Sequence, residues 1–174
     1  VYFTLTNNSS RTVADAANPR AANPYGHIIR WREDRRDHAG KRFNWDIFLL
    51  AGPQGDSRGP NGAALNDASI LASPDGLWFD PDGRLWIQTD MSGSQLTSGP
   101  FGNNQMLVAD PRTGEMKRFL VGPIGAEVTG ISATPAVLSS QSTNAAESPC
   151  HRASRPPYTF WRVSQVPAPR PARP

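Results

Sequence analysis

The stretch PDGLWFDPDGRLWIQTD, residues 74–90, decides the fold of this chain. It holds two apolar-aromatic runs, Leu77 to Asp80 and Leu85 to Thr89, separated by Pro81-Asp82-Gly83. A short loop with Asp and Gly between two such runs is typical of a β-hairpin. We therefore predict an antiparallel strand pair here, with the second Pro-Asp-Gly as its turn and the first, residues 74–76, as the approach to its first strand.

A second hairpin follows the first one. Its strands are predicted over Gln105 to Ala109 and Glu115 to Val121, and the loop between them has Pro early and Gly at its end. Glycine adopts a positive φ without steric cost, as such a loop end requires. Four strands in meander order form a sheet of the size of one β-propeller blade, about 40 to 50 residues.

Three β-like runs precede this predicted blade: Val1 to Thr6, His27 to Glu33 and Trp45 to Ala51. They fit an earlier blade whose innermost strand would lie before Val1, and the segment EVTGISATP, residues 127–135, fits the innermost strand of a third. The fold class that we predict is all-β, a partial β-propeller of about two four-stranded antiparallel blades. Because the chain lacks an initiator methionine and opens inside a β-type run, we expect a piece of a longer protein.

The composition changes at Ala136. From there the chain is rich in Ser, Ala, Pro and Arg, without alternation or paired apolar runs. Such a segment has no apolar face to bury, so we expect residues 136–174 to form a disordered tail, separate from a folded region over residues 1–135. A second interpretation is that this tail is aberrant, as a shift of the reading frame would produce.

Charge and cysteine content argue against several classes of protein. The 174 residues carry a net charge of +3 and the pI is about 9.5, but the basic residues at 30–42 alternate with acids and others lie in the tail. We therefore expect no nucleic-acid partner.

The single cysteine excludes an internal disulfide framework. No apolar run approaches the roughly 20 residues of a membrane helix, so we expect no membrane partner. No G-x-S-x-G, H-E-x-x-H, C-x-x-C or P-loop motif is present.

Three acidic residues are candidate metal ligands. Asp75 lies where an inner strand would begin, and a carboxylate held there suits a hard cation such as calcium, although it could equally cap a turn. Asp90 ends the second strand of the hairpin and is a weaker candidate. Glu127 precedes Thr129-Gly130 at the start of the next inner strand, with a solvated loop acid as the alternative. Asp82 is assigned to the turn between the strands.

Other polar and aromatic residues are assigned structural roles. Paired asparagines usually mark turns with left-handed backbone geometry, and we assign Asn7, Asn8, Asn103 and Asn104 to such turns. His27 begins a strand and is expected to be a hydrogen-bonded structural histidine rather than a metal ligand. Four tryptophans are expected to pack between blades: Trp31, Trp45, Trp78 and Trp86.

Several motifs in series resemble one known family. VYFTLTNNSSR, NPYGHIIRW, WDIFLLAG, PDGLWFDPDGRLWIQTD and NNQMLVADPRTGEMKRFLVGPIGAEVTGISATP, in this order, resemble the PhoX-type alkaline phosphatases over residues 1 to about 135. The resemblance implies a β-propeller exported in folded form by the twin-arginine route, and therefore a periplasmic or secreted protein. It also implies a phosphomonoester substrate and a cluster of iron and calcium ions at the propeller axis. It supports Asp75 as an oxygen ligand, and the EVTG setting of Glu127 matches a family motif.

The same comparison indicates that part of the family's site is absent from this chain. The family's metal-binding Glu, in an Arg-Pro-Glu-Trp segment, and its iron-binding Cys lie upstream of the first motif, so Cys150 does not correspond to that Cys. Downstream, TPAVLSSQ replaces the family's continuation. We therefore expect the chain to be inactive alone. Two alternatives remain: a non-catalytic secreted propeller that binds a partner through loops 52–73 and 91–104, and a calcium-dependent lactonase-type propeller.

Overall fold

The computed structural model describes residues 1–134, 137–144 and 158–163. In this part of the chain ten strands form three antiparallel sheets, each with its strands in chain order. The strands are β1 (Tyr2–Leu5), β2 (His27–Glu33), β3 (Phe43–Leu50), β4 (Pro74–Phe79), β5 (Leu85–Thr89), β6 (Gln105–Ala109), β7 (Met116–Val121), β8 (Ala126–Thr134), β9 (Val137–Asn144) and β10 (Tyr158–Val163). A helix of four residues, α1 (Ser94–Thr97), follows β5.

The four-stranded sheet β4-β5-β6-β7 confirms both predicted hairpins and their meander order. In the first hairpin Trp78 pairs with Trp86, and in the second Ala109 pairs with Met116. Gly83 and Gly114, the last residues of the two hairpin loops, have φ values of 80° and 82°, as predicted for loop-ending glycines. The loop residues between the strands therefore specify the two hairpins of this sheet.

The runs predicted before residue 52 form the first sheet, β1-β2-β3. The third sheet, β8-β9-β10, begins with the EVTGISATP segment, as expected for a new sheet after β7. The described residues thus supply three successive antiparallel sheets, and they do not close into a ring. Closure into a propeller remains a prediction from the resemblance.

The four-stranded sheet is the middle layer, and it buries both of its faces. Alternate residues of β5 point to opposite faces, so Leu85 and Ile87 pack towards the first sheet against Ile28 and Phe48. Trp86 instead packs on the opposite face with Met106 and with Val128 of β8. This alternation explains why all five residues of β5 are buried.

The four tryptophans predicted to pack between blades lie in two places. Two lie between the second and third sheets, and two lie on the outer face of the first sheet. Trp86 is buried and Trp78 packs against the same cluster between the second and third sheets. Trp31 and Trp45 pair with each other across β2 and β3 on the outer face of the first sheet, and Trp45 is 41% exposed. Within the described residues only Trp78 and Trp86 therefore pack between sheets.

Two strands lie in the tail that we expected to lack regular structure. β9 pairs with β8 over its length, and β10 pairs with β9. The expectation is wrong for these two segments, because strand pairing uses backbone hydrogen bonds and does not require the apolar alternation on which it was based. Residues 135–136, 145–157 and 164–174 lie outside the described residues, and the domain boundary near residue 135 and the frame-shift interpretation stay untested.

The two Pro-Asp-Gly segments adopt different structures. The second forms the predicted turn, but the first, residues 74–76, lies inside β4. The pairing of β4 with β5 is irregular between Pro74 and Leu77, as in a β-bulge, and the positive φ falls on Ser73, at 48°, rather than on Gly76. Asp75 is therefore held at a bulge in a strand and not at a turn.

Within residues 1–134, 137–144 and 158–163, no helix has the length and apolar character needed to cross a bilayer.

A pair of carboxylates beside the Pro74–Thr89 strand pair

The structure brings together two of the three predicted ligands, Asp75 and Asp90. Pro74 of β4 pairs with Thr89 of β5, and each aspartate directly follows one member of this pair. Both aspartates are exposed, whereas Pro74 and Thr89 are buried. The two carboxylates therefore lie on adjacent strands, diagonally across the buried Pro74–Thr89 pair.

The two carboxylates interact electrostatically. The pKa of Asp90 is raised from its ordinary value, first by partial burial and second by the negative charge of Asp75. A nearby negative charge disfavours ionisation of a carboxyl such as that of Asp90, and a bound cation reverses this effect. Carboxylate oxygens are the donors that a hard cation favours, and a ligand role for this pair stays a prediction.

Gly76 allows the bulge to lie close to β5. A Cβ atom at this position would lie 2.2 Å from Oε1 of Gln88, which is a buried residue of β5. A side chain here would force the Gln88 amide to shift, so glycine eases this close approach, and no positive φ is involved. This close approach places the backbone of Asp75 against the strand that ends before Asp90.

Glu127 does not join the aspartate pair. It lies half-buried in β8, where it pairs with Thr143 of β9. Among the described residues no three His, Cys, Asp or Glu side chains come together in a way that could hold a metal ion. A ligand role for Glu127 therefore stays a prediction from the resemblance.

Asp80, which the sequence analysis did not single out, organises the β4–β5 turn. Its carboxylate accepts hydrogen bonds from the backbone N–H groups of Asp82 and Arg84 at 3.0 and 2.9 Å, and from the Trp86 indole at 2.9 Å. The carboxylate of Asp82, to which the turn is assigned from the sequence, pairs only with the Arg84 guanidinium at the surface among its described contacts. The sequence could have indicated this role, because an Asp at the first position of a turn commonly accepts a hydrogen bond from the backbone N–H two residues ahead.

His27 has the predicted structural role. Its Nδ1 atom accepts a hydrogen bond from the Asn23 amide at 3.0 Å, and its Nε2–H donates to the Ala17 carbonyl at 2.7 Å. Burial is the main cause that lowers the pKa of His27, and the charge of Arg20 adds to it. With both ring nitrogens engaged, this imidazole has no free position for a metal.

The paired asparagines do not adopt the expected left-handed conformation. None of Asn7, Asn8, Asn103 and Asn104 has a positive φ. Instead, Asn103 donates to the carbonyls of Gly122 and Ala126, both at 3.1 Å, and Asn104 bonds the backbone of Met91 through both ends of its amide. The prediction failed because both residues are buried, where their side chains satisfy neighbouring loops.

The residues present fit part of one of the two metal sites that the resemblance implies. Asp75 and Asp90 offer carboxylate oxygens suited to calcium. They supply at most about four of the six to eight oxygens that calcium takes. For iron, the described residues contain no cluster of His, Cys or acidic side chains, and Cys150 lies outside them.

Comparison with known proteins agrees with the motifs. The family model described as alkaline phosphatase PhoX matches residues 1–139. A solved structure of Pseudomonas fluorescens PhoX in complex with vanadate, a transition state analogue, is similar to this chain, with 41% sequence identity and a TM-score of 0.77. The similarity covers 94% of this chain and 31% of the Pseudomonas chain, so this chain spans about a third of that relative. A search of curated proteins gives no significant match.

Proposed function

The chain belongs to the PhoX family of alkaline phosphatases, and we propose from this premise that it forms part of a metal-dependent enzyme that hydrolyses phosphomonoesters. The observation that carries the proposal is the Asp75–Asp90 pair, two interacting carboxylates on adjacent strands in a chain of this family. The vanadate complex of the similar Pseudomonas protein supports a phosphoryl-transfer reaction, because vanadate there is a transition state analogue.

In this proposal Asp75 and Asp90 hold calcium between the adjacent strands β4 and β5. Bound there, the ion would neutralise charge on the phosphate oxygens and favour deprotonation of an attacking water. The role of this chain is to bind the cation, and the buried Pro74–Thr89 pair beneath the carboxylates orients them. Glu127 and the iron ligands belong to the family's site by resemblance alone, and we assign them no step.

We further propose that the 174-residue chain is inactive alone and that the complete enzyme is exported to the periplasm or secreted. The first statement is supported by the carboxylate count, since two aspartates leave a calcium shell incomplete. The second is supported by the family resemblance. No nucleic acid or membrane is proposed as a partner.

The alternative of a non-catalytic binding module receives less support from the loops on which it would depend. Loop 52–73 buries Leu65, Ile70 and Leu71 in the core between the first two sheets, and loop 91–104 buries Met91 and Phe101 in the same core. These loops are anchored in the core by their apolar residues, although both also carry exposed residues. Family membership favours a phosphatase over a lactonase-type propeller.

The proposal is tested by placing this chain in a complete enzyme. In a chimera, residues 1–139 replace the matching segment of Pseudomonas fluorescens PhoX, and hydrolysis of p-nitrophenyl phosphate is measured at alkaline pH with calcium and iron. We expect activity that Asp75→Ala lowers by at least about a hundredfold, as loss of a metal ligand should, while Asp82→Ala leaves it unchanged. A folded chimera that stays fully active with Asp75→Ala would contradict the proposal.

The isolated chain provides the complementary measurement. We expect its hydrolysis of the same substrate to stay at the buffer rate with both metals present. Turnover that disappears with Asp75→Ala would show that the chain carries a complete site, against the carboxylate count.

A further inference from the structure

We propose that Ser73 is a positioning residue that sets the separation of the Asp75 and Asp90 carboxylates. This inference rests on the proposed function, since it gives the pair a cation to hold. Ser73 precedes Pro74 and is fully buried, with an exposed fraction of 0%. It lies two residues before Asp75 in the chain, and its carbonyl contacts the backbone of Asp90.

Four hydrogen bonds fix Ser73. Its N–H donates to the Tyr25 carbonyl at 2.7 Å, and its carbonyl accepts the N–H of Asp90 at 2.9 Å. Its hydroxyl donates to Oε1 of Gln95 at 2.7 Å and accepts from the Asn7 amide at 3.2 Å. Every hydrogen-bonding group of the residue is therefore used, by partners from four separate segments.

Gln95 extends this support to a further loop. Its amide nitrogen donates to the Pro24 carbonyl while its oxygen accepts from Ser73. The segment after β1 and helix α1 thus bond the hydroxyl directly, and the loop before β2 holds Gln95 and the Ser73 N–H. No other contact of Ser73 is needed to explain why its side chain is held in a single orientation.

The backbone of Ser73 is in an unfavourable conformation. Its φ of 48° is left-handed, and the residue is neither Gly, Asn nor Asp. A residue before proline is also restricted towards extended conformations. Such a conformation is unfavourable and persists only where the surroundings enforce it, which the four hydrogen bonds do here.

The conformation has a direct consequence for the aspartates. The left-handed Ser73 turns the chain into the bulge at Asp75, and the same residue binds the N–H of Asp90 across the sheet. One residue therefore sets where both carboxylate-bearing backbones lie. Supports of this kind behind metal ligands typically affect metal affinity by about tenfold to a hundredfold.

The test is a calcium titration of the chain followed by amide NMR. The amide signals of Asp75, Gly76, Asp90 and Met91 report on binding at the pair, and thermal unfolding reports on the fold. Ser73→Gly removes the hydroxyl while relieving the strain in φ, so the chain should fold. Gln95→Met removes the partner of the hydroxyl and leaves the Ser73 side chain in place. Ser98→Ala is the matched control, because Ser98 is an exposed serine whose hydroxyl bonds only the Ser94 carbonyl in α1.

We expect the unmodified chain and Ser98→Ala to bind calcium weakly and equally. We expect the dissociation constant to rise about tenfold in Ser73→Gly, and to rise also in Gln95→Met, with the unfolding temperature of Ser73→Gly maintained. A merely structural role would instead change the unfolding temperature and leave calcium affinity unaltered in the folded protein.

Two results would overturn the inference, and they differ in their consequence for the proposed function. If the unmodified chain binds calcium and both variants bind it equally well, Ser73 does not position the pair, and the proposed function is untouched. If calcium fails to shift the four amide signals in the unmodified chain, the pair alone does not hold calcium and the inference falls, whereas the metal assignment in the proposed function is still decided by the chimera.

Discussion

At the scale of single residues, His27 shows how a buried side chain can link stability to pH. Its imidazole accepts a hydrogen bond from the Asn23 amide, and that bond requires the ring to be neutral. The charged groups that act on the ring are Arg20 and Arg11, which disfavour protonation, and Asp15, which favours it. Burial is the largest influence, and together these effects hold the folded-state pKa of His27 below its ordinary value of 6.5.

The first prediction concerns this histidine. The unfolded chain binds the proton more strongly than the folded one, so the stability contributed by neutral His27 is complete above its ordinary pKa of 6.5 and is lost as the pH falls towards the lower folded-state pKa. We expect the free energy of unfolding, measured with urea between pH 5 and 8, to decrease on the acid side. His27→Gln should flatten this dependence.

The control for the histidine is His38, which lies on an exposed loop. His38→Gln removes an exposed side chain and its surface ion pair with Glu33, and it should change the free energy of unfolding little. A profile that stays equally steep in His27→Gln would mean that another group, and not the buried imidazole, links stability to pH.

At the scale of secondary-structure elements, the β4–β5 hairpin depends on Asp80. Burial alone would raise the pKa of this carboxyl, but the hydrogen bonds from Trp86 and Arg84 outweigh it and lower the pKa. The carboxylate is therefore ionised in the folded protein and is the common acceptor of the turn. The turn and the indole that packs on the third sheet are held by the same group.

The second prediction follows from these bonds. Asp80→Ala leaves the donors of the turn and the Trp86 indole without their acceptor, and we expect it to lower the free energy of unfolding by about 2 to 3 kcal/mol. Asp82→Ala, in the same turn, removes only a surface ion pair and should change it by less than about 0.5 kcal/mol. Urea unfolding of both variants measures these changes. Equal losses in the free energy of unfolding would refute the assignment of the turn to Asp80.

The elements differ in how far the sequence could predict them. Both hairpins were predictable, because a local turn and alternating apolar residues are enough to specify them. β9 was not, because its strand pairing with β8 uses backbone groups that composition does not reveal. The first Pro-Asp-Gly was assigned to the approach to a strand, but contacts with distant residues, Gln88 and the partners of Ser73, place it in a bulge.

The candidate site was likewise only partly predictable from the sequence. Asp75 and Asp90 could be named from their positions at strand ends, yet their mutual proximity depends on the β4–β5 register and on the irregularity after Pro74. Ser73 carried no sequence signal, since its role arises from four segments that meet only in the folded chain. Local patterns thus identified the acids, and tertiary packing determines which of them cooperate.

At the scale of the whole molecule, the first and the middle sheets differ in how many of their faces are buried. The middle sheet buries both faces, whereas the first sheet buries one and leaves the other open within the described residues. That open surface, the outer face, is aromatic: Phe3 lies against Trp31, and Trp31 against Phe43, with ring centroids 5.1 and 5.9 Å apart. Phe43 and Trp45 remain 56% and 41% exposed. Contiguous apolar surface of this kind promotes association.

The third prediction tests this outer face. We expect the isolated chain to bind the dye ANS and to self-associate in analytical ultracentrifugation, because water is in contact with the aromatic rings. The double variant Phe43→Lys and Trp45→Lys should reduce both effects while changing the free energy of unfolding by less than about 1 kcal/mol, since neither side chain is buried. Phe48, on the inner face of the same strand and 1% exposed, is the matched contrast, and Phe48→Ala should cost about 3 to 5 kcal/mol. If the double variant unfolds as readily as Phe48→Ala, the outer face is part of the core and the sheet packs on both sides. If it instead stays folded with undiminished self-association, the surface that drives association lies elsewhere on the molecule.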